Sequence, residues 1–175
     1  MRVLDRSVVK LDLEAVGMTP ETLANFRDVI AKPNGIVLVT GPTGSGKSTT
    51  LYAALGRLDA NTTNILTVED PIEYDIEGVG QTQVNAKIDM TFSKALRSIL
   101  RQDPDVIMIG EIRDRNTMKQ AIAYAETGHL CLCTLHANNA NQAMERVINF
   151  FPEEAHRQLL VDLSLNLAGV VSQRL

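Results

Sequence analysis

A glycine-rich segment carries the clearest chemistry in the sequence. Residues 41–48 match the pattern G-x-x-x-x-G-K-[ST] at every fixed position. Glycines let backbone N–H groups point at phosphate oxygens, Lys47 adds a charge near the β and γ phosphates, and the Ser48 hydroxyl can bind Mg²⁺. A strand-like run precedes the segment and a helical pattern follows, so a chance glycine-rich turn is the weaker interpretation. The predicted nucleotide-binding residues are Gly41, Pro42, Thr43, Gly44, Ser45, Gly46, Lys47, Ser48 and Thr49.

Polar residues follow three other strand-like runs at the point where each run ends. In an open parallel sheet, ligands bind beyond the carboxyl ends of the strands, so these residues should lie beside the phosphate loop. Hydrolysis needs one carboxylate to orient or deprotonate water and another to fix Mg²⁺, and Glu73 and Glu111 could divide these roles. His136 is the candidate for sensing the γ-phosphate. The set comprises Glu69, Asp70, Glu73, Glu111 and His136.

A second acidic pair is a poor catalytic candidate. Asp103 and Asp105 precede their strand, and at ~3.3 Å per residue Asp105 should lie about 20 Å from the phosphate edge. Asp and Pro favour turns, so we expect the pair to form a turn or cap around Pro104.

Two histidines and two cysteines resemble a zinc set on paper, but their spacing excludes it. In a strand, His129 and Cys133 would be about 13 Å apart at ~3.3 Å per residue, too far to share one metal. No zinc is therefore expected. Cys131 and Cys133 are interpreted as core residues, and His129 as a structural residue or a subunit contact.

Four arginines lie near these motifs: Arg97, Arg101, Arg113 and Arg115. Most such arginines are solvated, but one could act as an arginine finger on a neighbouring subunit's nucleotide. The sequence does not choose among them.

Strand-like and helical patterns alternate along the chain, which predicts an α/β doubly wound fold with a mostly parallel central sheet flanked by helices. Thr91 and Thr19 are predicted helix N-caps, and Asn116 and Gly128 bracket another helix. Two C-terminal helices should follow, the second running from Pro152 to Val171. The predicted strands are 35–40, 64–68, 106–109 and 130–135.

Size and charge limit the function further. The chain has 175 residues and a net charge of −4, which favours one domain and gives no reason to expect a nucleic-acid partner. No apolar run of about 20 residues and no secretory signal are visible, so we expect a cytoplasmic protein. Val9, Leu11 and Leu13 alternate like a strand without a hairpin partner. We therefore predict that residues 1–17 are the end of a missing N-terminal domain and its linker. Residues 18–175 should form the catalytic domain, in a chain that is truncated on both sides.

Four ordered motifs resemble the secretion ATPases, the hexameric motors of type II secretion and type IV pili. The resemblance implies a C-terminal RecA-like domain that hydrolyses ATP with Mg²⁺, with Glu73 as the catalytic base and Glu111 as the Walker B glutamate near Mg²⁺. Gly110 stands where a standard Walker B strand ends in Asp. The two family histidines match His129 and His136. The motifs are residues 41–49, 67–74, 100–114 and 127–136.

The resemblance also implies partners, namely a homo-hexamer and an inner-membrane platform protein that holds the motor at the membrane periphery. Residues up to about Asp114 look like assembly motors, whereas those from Asn116 onward look like retraction motors. The leading hypothesis is an assembly motor, and a retraction motor is the alternative. A hypothesis from another functional class also remains open, namely an accessory or regulatory subunit that binds ATP but hydrolyses it very little.

Overall fold

Six parallel strands form one sheet, in the order β3-β2-β4-β5-β1-β6. The computed structural model describes residues 11–174. The predicted α/β fold with a parallel sheet is confirmed, and the four predicted strands are the four central ones. The strands are β1 Gly35–Thr40, β2 Ile65–Glu69, β3 Gly80–Gln83, β4 Val106–Ile109, β5 Leu130–Leu135 and β6 Leu167–Ser172.

Helices cover both faces of this sheet. Every residue of β1, β2, β4 and β5 is buried, as their continuous apolar sequences require. Ile36 and Leu38 pack into a core on one face, whereas Val37 and Val39 pack into a second core on the other. The helices are α1 Pro20–Ile30, α2 Lys47–Leu55, α3 Phe92–Ile99, α4 Arg115–Glu126, α5 Ala140–Asn149 and α6 His156–Asn166.

Side-chain caps mark the starts of α1, α3, α4 and α5. Thr19 and Thr91 accept hydrogen bonds from backbone N–H groups in the first turns of α1 and α3, as predicted. The start predicted at Asn116 is slightly wrong. Asp114 caps α4 instead, because its carboxylate accepts the Thr117 N–H at 2.8 Å.

The C-terminal segment corrects a second prediction. The helix expected up to Val171 ends at Asn166, and residues 167–172 form β6 along the free edge of β1. The helix was predicted from an apolar stripe at helical spacing, formed by Leu159, Leu160, Leu163, Leu167 and Val171. However, Gly169 and the β-branched Val170 and Val171 suit a strand better, and β1 would otherwise leave backbone groups unpaired.

Two other segments differ from expectation. The polar strand β3 pairs with β2 at the sheet edge and was not predicted, since it lacks an apolar pattern. The strand expected around Val9, Leu11 and Leu13 is wrong at its described end, where Leu13–Val16 is a 3-10 helix capped by Asp12. Val9 lies outside the described residues. Within residues 11–174, no helix has the length and apolar character needed to cross a membrane.

Candidate active site

The phosphate loop connects the carboxyl end of β1 to the start of α2. Gly46 caps α2 with φ 85°, a left-handed conformation that suits glycine. Gly41 has φ 156°, and a Cβ there would come within 2.5 Å of the Gln173 oxygen. The loop therefore ends at a helix N-terminus, whose unpaired N–H groups and positive dipole end favour an anion.

Lys47 is held over this loop. Its Nζ donates to the carbonyl oxygens of Gly41 and Pro42, both at 2.9 Å. Burial lowers the pKa of Lys47, and the negative charge of Glu111 opposes that shift. An ammonium has three donors, so one remains for a phosphate oxygen in this arrangement.

A cavity of about 480 Å³ lies between the phosphate loop and the carboxyl ends of β2, β4 and β5. The cavity is lined by residues that follow three separate strands and that the sequence predicted to lie at one edge of the sheet. Gly41, Pro42 and Ser45 belong to the loop but do not line the cavity. The residues predicted at this edge that line it are Thr43, Gly44, Gly46, Lys47, Ser48, Thr49, Glu69, Asp70, Glu73, Glu111, Arg113 and His136.

Arg113 forms ion pairs with two carboxylates at this edge. Its Nε lies 2.6 Å from Glu111 Oε2, and one terminal nitrogen lies 3.4 Å from Asp70 Oδ2. The hydrogen bond to Glu111 raises the pKa of Arg113. In this conformation Arg113 is thus engaged with acids of its own chain.

Gly110 explains the departure from the usual Walker B pattern. A Cβ at this position would lie 3.1 Å from the Val68 oxygen and 3.2 Å from Glu69 Cα. Backbone from β2 therefore crowds the position that the Cβ of an Asp would take. Thr134 donates a hydrogen bond to the Gly110 carbonyl and ties this turn to β5.

Tyr52 is a cavity residue that the sequence did not single out. It lies in α2, where its apolar neighbours favoured a simple packing role. Its hydroxyl donates to Glu69, and it accepts a hydrogen bond from the backbone N–H of Glu73 at 3.2 Å. Burial and the hydrogen bond to Glu69 raise the pKa of Tyr52. No local sequence signal joins these residues, because they meet only in the fold.

Several candidates lie outside the cavity. His129 precedes β5 at the opposite sheet edge, with Nδ1 2.9 Å from the Tyr124 carbonyl oxygen. Arg115 lies over the Phe151 ring, 5.6 Å from its centroid. Arg97 and Arg101 are exposed and do not line the cavity.

The remaining acids and thiols have structural positions. Asp105 Oδ2 accepts the Asn64 N–H at 2.7 Å, as expected for a turn residue. Cys131 and Cys133 are fully buried, as predicted.

The donor set suits magnesium. Ser48 and Glu111 offer hard oxygen atoms to the same cavity, and Mg²⁺ typically takes one or two protein oxygens together with phosphates and water. In the part of the chain that the structure describes, no cluster of three or more His, Cys, Asp or Glu side chains is arranged to hold a metal.

The sequence model of the family described as "Type II/IV secretion system protein" matches residues 1–175. The chain belongs to this family. Its RecA-like fold and the resemblance seen in the motifs are thereby confirmed.

Curated relatives of this secretion-system family member match all of its length. It is 58% identical to type II secretion system protein E of Klebsiella pneumoniae and 54% identical to type II secretion system ATPase E of Vibrio cholerae. The chain spans 34% of the length of each relative.

A solved structure of the pilus retraction motor PilT with bound ADP has a similar fold. The TM-score is 0.84 at 38% identity, over 99% of this family member and 50% of PilT.

Proposed function

We propose that this chain is the ATP-hydrolysing domain of a motor that powers assembly of a type II secretion pseudopilus or a type IV pilus. One observation carries the proposal: a single cavity joins the phosphate loop to Glu73, Glu111 and His136. Membership in the secretion-system family supports it, as do the name of the Vibrio relative, an ATPase, and the ADP bound to PilT.

Each side chain has a definite task in this proposal. The loop N–H groups and Lys47 hold the phosphates and offset negative charge that develops during transfer. Glu73 accepts a proton from the attacking water, and His136 contacts the γ-phosphate. Ser48 and Glu111 would hold Mg²⁺, which when bound neutralises phosphate charge.

Assembly is favoured over retraction by the degree of identity. The chain is 58% identical to the Klebsiella secretion protein but 38% identical to the retraction motor. Deletion of the gene in its host separates the two: secretion-defective or bald cells indicate assembly, whereas excess immobile pili indicate retraction.

We further propose that the full-length protein forms a homo-hexamer on the cytoplasmic side of the inner membrane, against a platform protein. In this arrangement residues 1–17 lead from an N-terminal domain and residues 18–175 belong to the ATPase domain. Arg97, Arg101 or Arg115 could then reach a neighbouring subunit's nucleotide. Light scattering with and without ATP tests the hexamer.

Steady-state ATP hydrolysis by the full-length protein tests the enzyme assignment. Lys47→Ala and Glu73→Gln should each abolish turnover, while the exposed matched controls Lys32→Ala and Glu77→Gln retain it. Wild-type protein that binds ATP with hardly any turnover as an assembled ring would instead support the accessory-subunit alternative. Activity that survives both site substitutions contradicts the assigned roles.

A further inference from the structure

Glu69 is a buried carboxylate at the back of the cavity for which the proposed reaction has no use. Glu69 is 3% exposed, and its two carboxylate oxygens accept hydrogen bonds from three donors. Thr67 Oγ1 lies 2.5 Å away, Gln81 Nε2 lies 3.1 Å away, and the Tyr52 hydroxyl donates to the other oxygen. A buried carboxylate is costly unless it is hydrogen-bonded in this way, so Glu69 is a fixed acceptor that orients the hydroxyl of Tyr52.

The Tyr52 hydroxyl then reaches the loop that carries the proposed base. The Tyr52 hydroxyl donates a hydrogen bond to Glu69, and its oxygen accepts one from the backbone N–H of Glu73 at 3.2 Å. The ring also packs edge-on against Tyr74, with 5.6 Å between centroids. One side chain of α2 thus connects the helix that follows the phosphate loop to the backbone of Glu73.

The unpredicted strand β3 holds the same acidic loop from its other side. Gln81 Nε2 donates to the Tyr74 carbonyl at 2.9 Å, and its Oε1 accepts the Ile76 N–H at 2.8 Å. The second Nε2 proton of Gln81 is donated to Glu69. Both the nitrogen and the oxygen of the Gln81 amide are therefore hydrogen-bonded to the acidic loop or to Glu69.

We propose that Tyr52 is a positioning residue which, together with Gln81, holds the 70–76 loop so that the Glu73 carboxylate meets the attacking water beside the phosphate loop. The inference rests on the proposed function, in which Glu73 is the base. In this inference Tyr52 acts through the backbone of Glu73, whose N–H its hydroxyl accepts. Because α2 begins in the phosphate loop, the same helix sets the positions of both the phosphates and the base.

The test compares Tyr52→Phe with Tyr124→Phe in the full-length protein. Tyr124 is also a buried tyrosine, but its hydroxyl has no hydrogen-bond partner among residues 11–174, so it controls for loss of one buried oxygen. We expect Tyr52→Phe to lower kcat roughly ten- to a hundred-fold, since misplacement by about 1 Å can cost about 100-fold. The Kd for a fluorescent ADP analogue should change less than about two-fold, because α2 and the phosphate loop remain intact. Tyr124→Phe should retain wild-type kcat.

A double variant distinguishes loss of Glu73 positioning from an unrelated structural effect of the Tyr52 substitution. If Tyr52 acts through Glu73, the residual rate of ATP hydrolysis by the Tyr52→Phe/Glu73→Gln protein, measured in a single turnover with enzyme in excess, should equal that of Glu73→Gln alone, whereas independent structural effects would multiply. Rates are compared at a temperature where thermal unfolding shows every variant to be folded. If Tyr52→Phe does not fold, Gln81→Met takes its place, with the same expected loss of kcat at unchanged ADP affinity.

The outcomes distinguish the inference from the function on which it rests. Wild-type kcat in Tyr52→Phe, or in Gln81→Met if that variant is needed, overturns the inference alone when Glu73→Gln is inactive. Multiplying losses in the double variant, or weakened ADP binding in place of lowered kcat, overturn it as well. An active Glu73→Gln protein overturns the assignment of Glu73 as the base in the proposed function, and the inference with it.

Discussion

The Nε of Arg113 donates a hydrogen bond to Oε2 of Glu111 at 2.6 Å, in the segment between β4 and α4. Glu111 is the carboxylate proposed to hold Mg²⁺, so the guanidinium charge competes with the metal for the same oxygens. The pair is partly exposed, and exposed pairs contribute about 0.2–1 kcal/mol.

We therefore expect Arg113→Gln in the full-length protein to lower the Mg²⁺ concentration for half-maximal hydrolysis by up to about five-fold. Magnesium titrations of ATPase activity measure this, with the exposed Arg157→Gln on α6 as the control. A collapse of kcat at an unchanged Mg²⁺ requirement would contradict competition and show that hydrolysis needs Arg113.

Gly41→Ala should destabilise the protein more than Gly17→Ala. Both glycines have positive φ, which costs a residue with a Cβ about 1–2 kcal/mol. A Cβ at Gly17 meets no atom within 4 Å, whereas one at Gly41 would overlap the Gln173 oxygen. Thermal unfolding compares the two variants. An equal Tm would show that Gln173 moves away readily.

Asp105→Ala should lower stability without lowering kcat. The carboxylate accepts the Asn64 N–H just before β2, and a hydrogen bond of this kind contributes about 0.5–1.5 kcal/mol. It lies at the amino end of β4, away from the cavity. Thermal unfolding and kcat are measured beside Asp28→Ala, an exposed control on α1. A large drop in kcat for the folded variant would contradict the structural role.

The two cysteines should resist alkylation in the native protein even at pH 9. Burial raises the pKa of the Cys131 thiol to about 12 and that of Cys133 well above its ordinary value. Peptide mapping after iodoacetamide treatment should find both unmodified until guanidinium is added. Because an unfolded thiol titrates near about 8.5, their contribution to stability is full below that pH and is lost as pH rises toward 12. Native modification at neutral pH would contradict this burial.

Local patterns in the sequence determined a large part of the architecture. Four strands buried on both faces read as continuous apolar runs, and the phosphate loop has fixed residue types because its backbone must approach phosphate closely. The parallel-sheet rule then placed Glu73, Glu111 and His136 at the edge where the cavity forms.

Only the tertiary structure decided the strands β3 and β6. β3 is polar and is a strand because β2 offers a free edge. Residues 167–172 carry a stripe compatible with a helix, yet they complete the edge of β1. In both segments, pairing with a distant backbone outweighed local preference.

The site follows the same division. Sequence order predicted which acids share an edge, but it held no sign that Tyr52, Glu69 and Gln81 form one hydrogen-bonded group. The sequence also did not explain Gly110, where the β2 backbone crowds the position that a Cβ would take. Motif residues are constrained by the ligand and so have recognisable types and spacing. The residues that hold them are constrained only by neighbours far away in sequence, which the folded chain alone brings together.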